Sequence, residues 1–306
     1  MSTIDATTAA GGFRRRRGEA LRERARSWGF LAPSMVIIGL VTLYPLVYAI
    51  VLSLQHGSFT ESGHWVGLSN FTELASDTQF IHALRFSAIF TVFSALGAYA
   101  MGLGFALAVN RLNRGRWLVR LGLLLPWVVP PVVSIIAWHW MLADNEAIVN
   151  KALGFFGVGP ITFLASPFWA SVTVIVLRIW RSFPFIFITL LAARMAVPEE
   201  LYEAADLDGS GPLTTFRKIT MPQLARVSVV AVLLVAIWSF NDFETIYLLT
   251  GGGPANATYN VVVLSYYQAF FGSNLGLAAA MAVVGLVLLL ALSAVLLRLL
   301  RRMDPA

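Results

Sequence analysis

The 306-residue chain contains no cysteine, and only 12% of its residues are charged. The first absence excludes disulfide scaffolds, thiolate metal sites and cysteine nucleophiles. The second has the larger consequence. A soluble globular domain carries about 25% charged residues, so this chain lacks the groups needed to cover an ordinary water-facing surface. Histidine is also scarce: His56, His64, His82 and His139 lie far apart and follow no metal-ligand spacing. There is no G-x-x-x-x-G-K-S/T phosphate loop, so the chain is not expected to bind or hydrolyse ATP itself. No nucleophile–base pair stands out either, and neither a catalytic nor a metal site is expected.

What is present is apolar: 58% of the residues are hydrophobic and the mean hydropathy is +0.75. A bilayer core about 30 Å thick needs about 20 apolar residues in helical form. Six stretches qualify: Phe30–Leu54, Phe86–Val109, Leu118–Met141, Phe168–Ala193, Val227–Leu249 and Leu277–Leu297. None alternates in polarity as a barrel strand does. The expected fold class is therefore all-α, a polytopic membrane protein with six transmembrane helices spread over residues 29–299. A basic tail (1–28) and a short tail (300–306) flank them. The first run exceeds the roughly 7–15 residues of a signal-peptide core and no A-x-A site follows it, so it reads as a retained anchor. Gly18–Ser27 ahead of it suits a basic surface helix.

The net charge is +6. Nucleic acid would be one reading of it, but the basic residues stand at the ends of apolar runs, where they meet anionic headgroups. Membrane lipid is the expected partner, not nucleic acid. The tail holds Arg14, Arg15, Arg16, Arg17, Arg22, Arg24 and Arg26, and the second-to-third connection Arg111, Arg114, Arg116 and Arg120. The fourth-to-fifth connection has Arg194, Arg217, Lys218 and Arg226, and the C-terminus Arg298, Arg301 and Arg302. The alternate connections hold only Arg85 and Lys151. Both termini are expected to be cytoplasmic.

Polar groups at membrane depth are functional candidates. Arg178 and Arg181 lie in the fourth apolar run, and Asn241, Asp242 and Glu244 in the fifth. If the fifth run is one helix, Asn241, Thr245 and Leu248 share a face with Trp238, and Glu244 lies one turn before Tyr247. A carboxylate or amide beside an aromatic plate suits a sugar, which presents hydroxyls and an apolar C–H face. Trp238, Asn241, Asp242, Glu244, Tyr247, Arg178 and Arg181 are thus candidates for the cargo pathway, and internal pairing of the arginines with Asp242 or Glu244 is the competing reading. Counting residues from the run ends offsets Arg178 from Asn241 by several ångströms. Pro126, Pro130 and Pro131 break the third run, which such runs tolerate beside protein or a water-filled cavity. Trp138 and Trp140, with His139 between them, read as an interfacial belt, and Gly97, Gly102 and Gly104 suggest close helix contact. Two outer loops flank this region. The loop from Gln55 to Arg85 reads as a small external cap. The loop from Thr250 to Asn274, opening Gly251-Gly252-Gly253-Pro254 and continuing to Tyr266, Tyr267, Phe270 and Phe271, fits either an interfacial belt or a segment that touches cargo or an external protein.

The polar connection over residues 194–226 is long for a plain connector. Pro198, Glu199 and Glu200 open a helix, with Leu201, Ala204, Ala205 and Leu207 on an apolar face. Gly209-Ser210-Gly211-Pro212 breaks it, and Leu213–Ile219 forms a second short helix that Pro222 ends. Glu203-Ala204-Ala205, three residues, Gly209, nine residues, then Ile219-Thr220-Met221-Pro222 is similar to the motif EAA-x3-G-x9-I-x-L-P. Only Met221 departs from it, conserving volume and apolarity.

That motif marks permease subunits of binding-protein-dependent ABC importers, and from the first span onward the chain resembles their maltose, trehalose and glycerol-phosphate subfamily. The resemblance implies the type I importer permease fold and ATP-driven uptake of a sugar, of di- or oligosaccharide type, by alternating access. It implies a second homologous permease subunit, a dimer of ATP-binding cassette subunits that binds the ATP and Mg, an extracytoplasmic substrate-binding protein and a bacterial inner membrane. It assigns Glu203, Ala204, Ala205, Gly209, Ile219 and Pro222 to coupling with the ATPase subunit. An ion-coupled secondary transporter using Asp242 or Glu244 is the alternative; inverted repeats would support it, and none is visible.

Overall fold

The computed structural model describes residues 32–58, 63–110 and 115–302. The expected surface helix over Gly18–Ser27, the tail arginines, Arg111, Arg114 and the last four residues lie outside them. The chain divides into two units, Met1–Leu52 and Ser53–Ala306. The described part of the first, residues 32–52, is helix α1 (Ala32–Ser53) but for its last residue; its Ile37, Leu40 and Val41 are 62–70% exposed. Such a surface suits hydrocarbon, not water.

The second unit is a helical bundle with one short hairpin. After a short hairpin, β1 (Gln55–His56) and β2 (His64–Trp65), come α2 (Ser69–Ser76) and the 33-residue α3 (Thr78–Asn110). Then follow α4 (Arg116–Val128), α5 (Pro131–Leu142), α6 (Ile148–Gly154), the 29-residue α7 (Pro167–Met195) and α8 (Glu200–Leu207). The chain closes with α9 (Pro212–Phe240), α10 (Glu244–Thr250), α11 (Val261–Phe270) and α12 (Leu275–Arg302). Five of these helices, α1 included, are long and apolar enough to cross a membrane, and the bent pair α4–α5 makes a sixth.

The bundle is built on α3 against α7. A Cβ at Gly102 would stand 2.7 Å from Ile186 Cβ and 2.9 Å from the Phe187 backbone nitrogen, and one at Gly97 would run into Ile179. These two glycines let the backbones approach. Gly104, grouped with them on sequence, faces open space. Ala98, Ile186, Phe187, Leu190 and Val235 fill the seam between α3, α7 and α9.

Three expectations about the spans need correction. Of the three prolines expected to break the third span, Pro126 lies inside α4, and the break falls at Pro130–Pro131, where α4 and α5 meet at 92°. Val129, preceding a proline pair, is extended at φ −65°, ψ 131°, and Pro131 restarts the helix at its first turn. Pro222 does not end a short helix, because α9 runs through it from Pro212. A π turn over Phe216–Thr220 precedes it, with the Met221 amide donating five residues back to Phe216. That wide turn accommodates the missing proline N–H. Finally, the fifth span is interrupted at Asn241–Phe243, so the helical face shared by Trp238, Asn241, Thr245 and Leu248 does not exist.

Candidate functional site

The breaks in the third and fifth spans open onto one cavity of about 680 Å³. Helix α7 lends it Arg178, Arg181, Ser182 and Phe185; the fifth-span break lends Trp238, Asn241, Asp242, Phe243 and Glu244; and the α4–α5 break lends Pro126, Trp127, Val129 and Pro131. The expected offset between the arginines and the acids is therefore absent. Arg178 Nη1 lies 3.0 Å from Asp242 Oδ2, and Arg181 Nη2 lies 3.9 Å from Glu244 Oε2.

These two pairs differ in kind. Asp242 is buried and accepts from the Thr245 amide at 3.0 Å and from its hydroxyl at 2.6 Å. Arg178 Nε donates to Ser239 Oγ at 3.1 Å, and Asn260 Nδ2 donates to the Asp242 carbonyl at 2.8 Å. Backbone freed by the break is thus satisfied inside the protein, as a membrane interior requires. Arg181 donates to Thr245 Oγ1 at 2.9 Å. The Glu244 side chain is 54% exposed, so it keeps lone pairs free for a polar ligand. Asn241 is exposed, and one of its amide hydrogens goes to the Ile237 carbonyl at 3.1 Å. Aromatic surface completes the cavity: Phe185 meets Trp238 edge-on at 4.9 Å and Trp127 at 6.2 Å.

Of the sequence-predicted residues, Tyr247 alone does not line this cavity. It stacks on Phe243 at 4.7 Å, within an aromatic cluster that includes Tyr266 and Tyr267. At the edge of that cluster, burial and the neighbouring Tyr267 hold the Tyr259 phenol above its ordinary range. Phe185, Trp127, Ser239, Thr245 and Asn260 were missed. Phe185 had a signal, four residues beyond Arg181 on one helical face.

A second polar cavity, of about 600 Å³, lies where α3, α7, α8 and α9 meet, lined among others by Asn110, Arg116, Arg194, Glu199, Tyr202, Asp206 and Thr220. Glu203 and Ala204 are exposed on α8, whereas Ala205 is buried against the protein's own chain. Gly209 adopts φ +70° after α8, and the Ser210 amide returns to the Ala205 carbonyl at 2.9 Å. A glycine suits this left-handed helix end. Ile219 is half-buried in the π turn, and Pro222 is exposed. The sequence reading treated Arg194 only as part of a charge count. In the fold it lies with its guanidinium 3.7 Å over the Tyr202 ring, whose hydroxyl is 3.2 Å from Thr220 Oγ1.

A bundle of apolar spans, broken around a polar cavity and carrying a protruding short helix at one end, is the build of a multi-spanning transport component. Residues 100–306 match the family described as binding-protein-dependent transport system inner membrane component, and the chain belongs to that family. It is 31% identical over 278 residues to the trehalose/maltose transport system permease protein MalF of Thermococcus litoralis, covering 90% of this chain and 94% of that one. It is 32% identical over 276 residues to the sulfoquinovosyl glycerol transport system permease protein SmoG of Agrobacterium fabrum, covering 90% of each. A solved bacterial ABC transporter involved in the import of the acidic polysaccharide alginate superposes with a TM-score of 0.81 at 23% identity, over 95% of this chain and 100% of that one. That likeness speaks for the fold, which is that of a type I ABC importer permease.

Proposed function

We propose that this chain is one permease subunit of an ATP-driven importer for a neutral di- or oligosaccharide. It pairs with a second, homologous permease subunit and with a dimer of ATP-binding subunits that hold ATP and Mg. An extracytoplasmic binding protein delivers the sugar, and the pathway opens alternately to the two sides of a bacterial inner membrane. Both termini and α8 face the cytoplasm in this reading. Glu203, Ala204, Ala205, Gly209, Ile219 and Pro222 form the surface that meets the ATP-binding subunits.

The cavity carries the reading. Its size falls within the roughly 300–1,000 Å³ of small-ligand sites, and it combines indole and phenyl surface with Asn241 and a half-free Glu244. Two guanidiniums face two carboxylates, leaving no net charge to hold an anion. A relative named for trehalose and maltose, both neutral disaccharides, supports the cargo class. Family membership favours this reading over the ion-coupled alternative.

The test is affinity purification from native membranes in mild detergent, with uptake of labelled trehalose and maltose measured in liposomes from the same material. A phosphate-loop ATPase and a second permease should accompany the wild type, and uptake should require ATP. Glu203→Lys combined with Gly209→Val should lose the ATPase and keep the second permease. A chain that emerges alone, or uptake driven by an ion gradient without ATP, would overturn the proposal.

A further inference from the structure

We infer that Arg194 is a positioning residue that transmits movement of α7 to α8 through the Tyr202 ring. The inference rests on the importer reading, since it concerns how the cavity and the ATPase-facing helix are linked.

Apolar packing does little to hold α8. Of its eight residues only Ala205 is buried, and Leu207 is 90% exposed. Its fastening to neighbouring helices runs instead through Tyr202, with the Arg194 guanidinium on the ring face and Thr220 at the hydroxyl. Thr220 is itself buried, in the π turn of α9. One side chain of α8 is thus gripped from two membrane-crossing helices.

Arg194 is placed for this grip and for little else. It is 9% exposed, in the last turn of α7. A basic residue there that served only as a headgroup anchor would extend its guanidinium into water. Glu199 and Asp206 line the same cavity, yet among the described residues neither forms an ion pair with Arg194. Its guanidinium packs on the Tyr202 ring instead, and burial strengthens a cation–π contact. At the other end of the grip, α7 runs unbroken from the cavity, carrying Arg178 and Arg181. The helix rises ~24 Å from Arg178 to Arg194. Pro184 lies between the two points and removes one helix hydrogen bond there, but the helix continues through it, so a shift of α7 at the Arg178–Asp242 pair still reaches Tyr202 along one helix.

The experiment uses the complete importer in liposomes, comparing the wild type with Arg194→Met, Arg194→Lys, Tyr202→Leu and Tyr202→Phe. Sugar moved per ATP, basal ATP hydrolysis and co-purifying ATP-binding subunits are read together. Arg194→Met and Tyr202→Leu should each lower sugar per ATP on the order of tenfold, the scale of one lost desolvated stack. Assembly and basal hydrolysis should persist. Combining the two should be no worse than either alone, because they break the same link. Tyr202→Phe, which keeps the ring, should retain most coupling, and Arg194→Lys should fall between. Hydrogen exchange over residues 200–207 reads the fastening without any cargo, and should quicken on the order of tenfold in Arg194→Met while α7 and α9 are unchanged. Unaltered sugar per ATP, additive losses in the double variant, or unaltered exchange would each overturn the inference. A wild type that moves no sugar would overturn the importer reading instead, with hydrogen exchange still deciding whether Arg194 fastens α8.

Discussion

Asp242 accepts two hydrogen bonds from Thr245 and lies 3.0 Å from Arg178 Nη1, so its charge is satisfied inside the cavity wall. Glu244, two residues on, has its side chain 54% exposed at 3.9 Å from Arg181. Chemically similar side chains therefore have different duties, and substitution separates them. Asp242→Ala leaves a buried guanidinium without its counter-charge, which typically costs about 3–5 kcal/mol. The expected outcome is a lower unfolding midpoint in detergent and reduced folded yield. Glu244→Gln removes a partly solvated pair, so stability should change by less than about 1 kcal/mol, and the defect should appear in sugar uptake. Equal midpoint losses in both variants would show that the two pairs are not distinct. Arg178, Arg181, Asp242 and Glu244 were legible in the sequence because charge in an apolar run is conspicuous. Ser239, Thr245 and Asn260 were not, since hydroxyls and amides in a helix can bond their own backbone and leave no pattern.

Among the elements, the α3–α7 seam turns on where a methyl group fits. Gly102 and Gly104 are two residues apart, about 200° around the helix, so only one of them faces α7. Gly102→Ala would place a Cβ 2.7 Å from Ile186 Cβ and 2.9 Å from the Phe187 backbone nitrogen, which has no rotamer to yield with. That change should destabilise by about 1–3 kcal/mol. Gly104→Ala meets nothing within 4 Å and should be neutral or stabilise by up to about 1 kcal/mol through helix propensity. Thermal unfolding of the purified chain reads both, and the signs should be opposite. Breaks were likewise half legible. Pro130 and Pro131 disclose where the third span loses its hydrogen bonds, but the 92° swing depends on what the halves pack against. Pro222 was misread as a stop because a π turn can absorb a proline, and nothing local in Phe216–Thr220 announces one. The interruption at Asn241–Phe243 carries no proline or glycine; there Asp242 pairs with Arg178 and takes the Thr245 amide at the start of the next helix.

At the scale of the molecule, charge is distributed along the bundle axis. Arg116, Arg120, Arg194, Arg217, Lys218, Arg298, Arg301 and Arg302 cluster at the end that carries α8, whereas Arg85 and Lys151 lie toward the opposite end. Lys151 is partly offset by Glu146 at 3.7 Å. The bundle has a polarity axis, and the basic-residue rule predicts its direction across a membrane, the α8 end inward. The absence of native cysteine makes the direction directly measurable. Asn145→Cys places a lone thiol on an exposed position between α5 and α6, and Asp208→Cys places one on an exposed position just after α8. A membrane-impermeant maleimide applied to intact cells, with the outer membrane opened where one is present, should label the first. It should reach the second only after the inner membrane is breached. The reverse pattern would put the α8 surface on the wrong side for any cytosolic ATPase. Labelling of both in intact cells would mean that the position after α8 reaches the outer face through the bundle, which a permease cycling between closed ends does not permit.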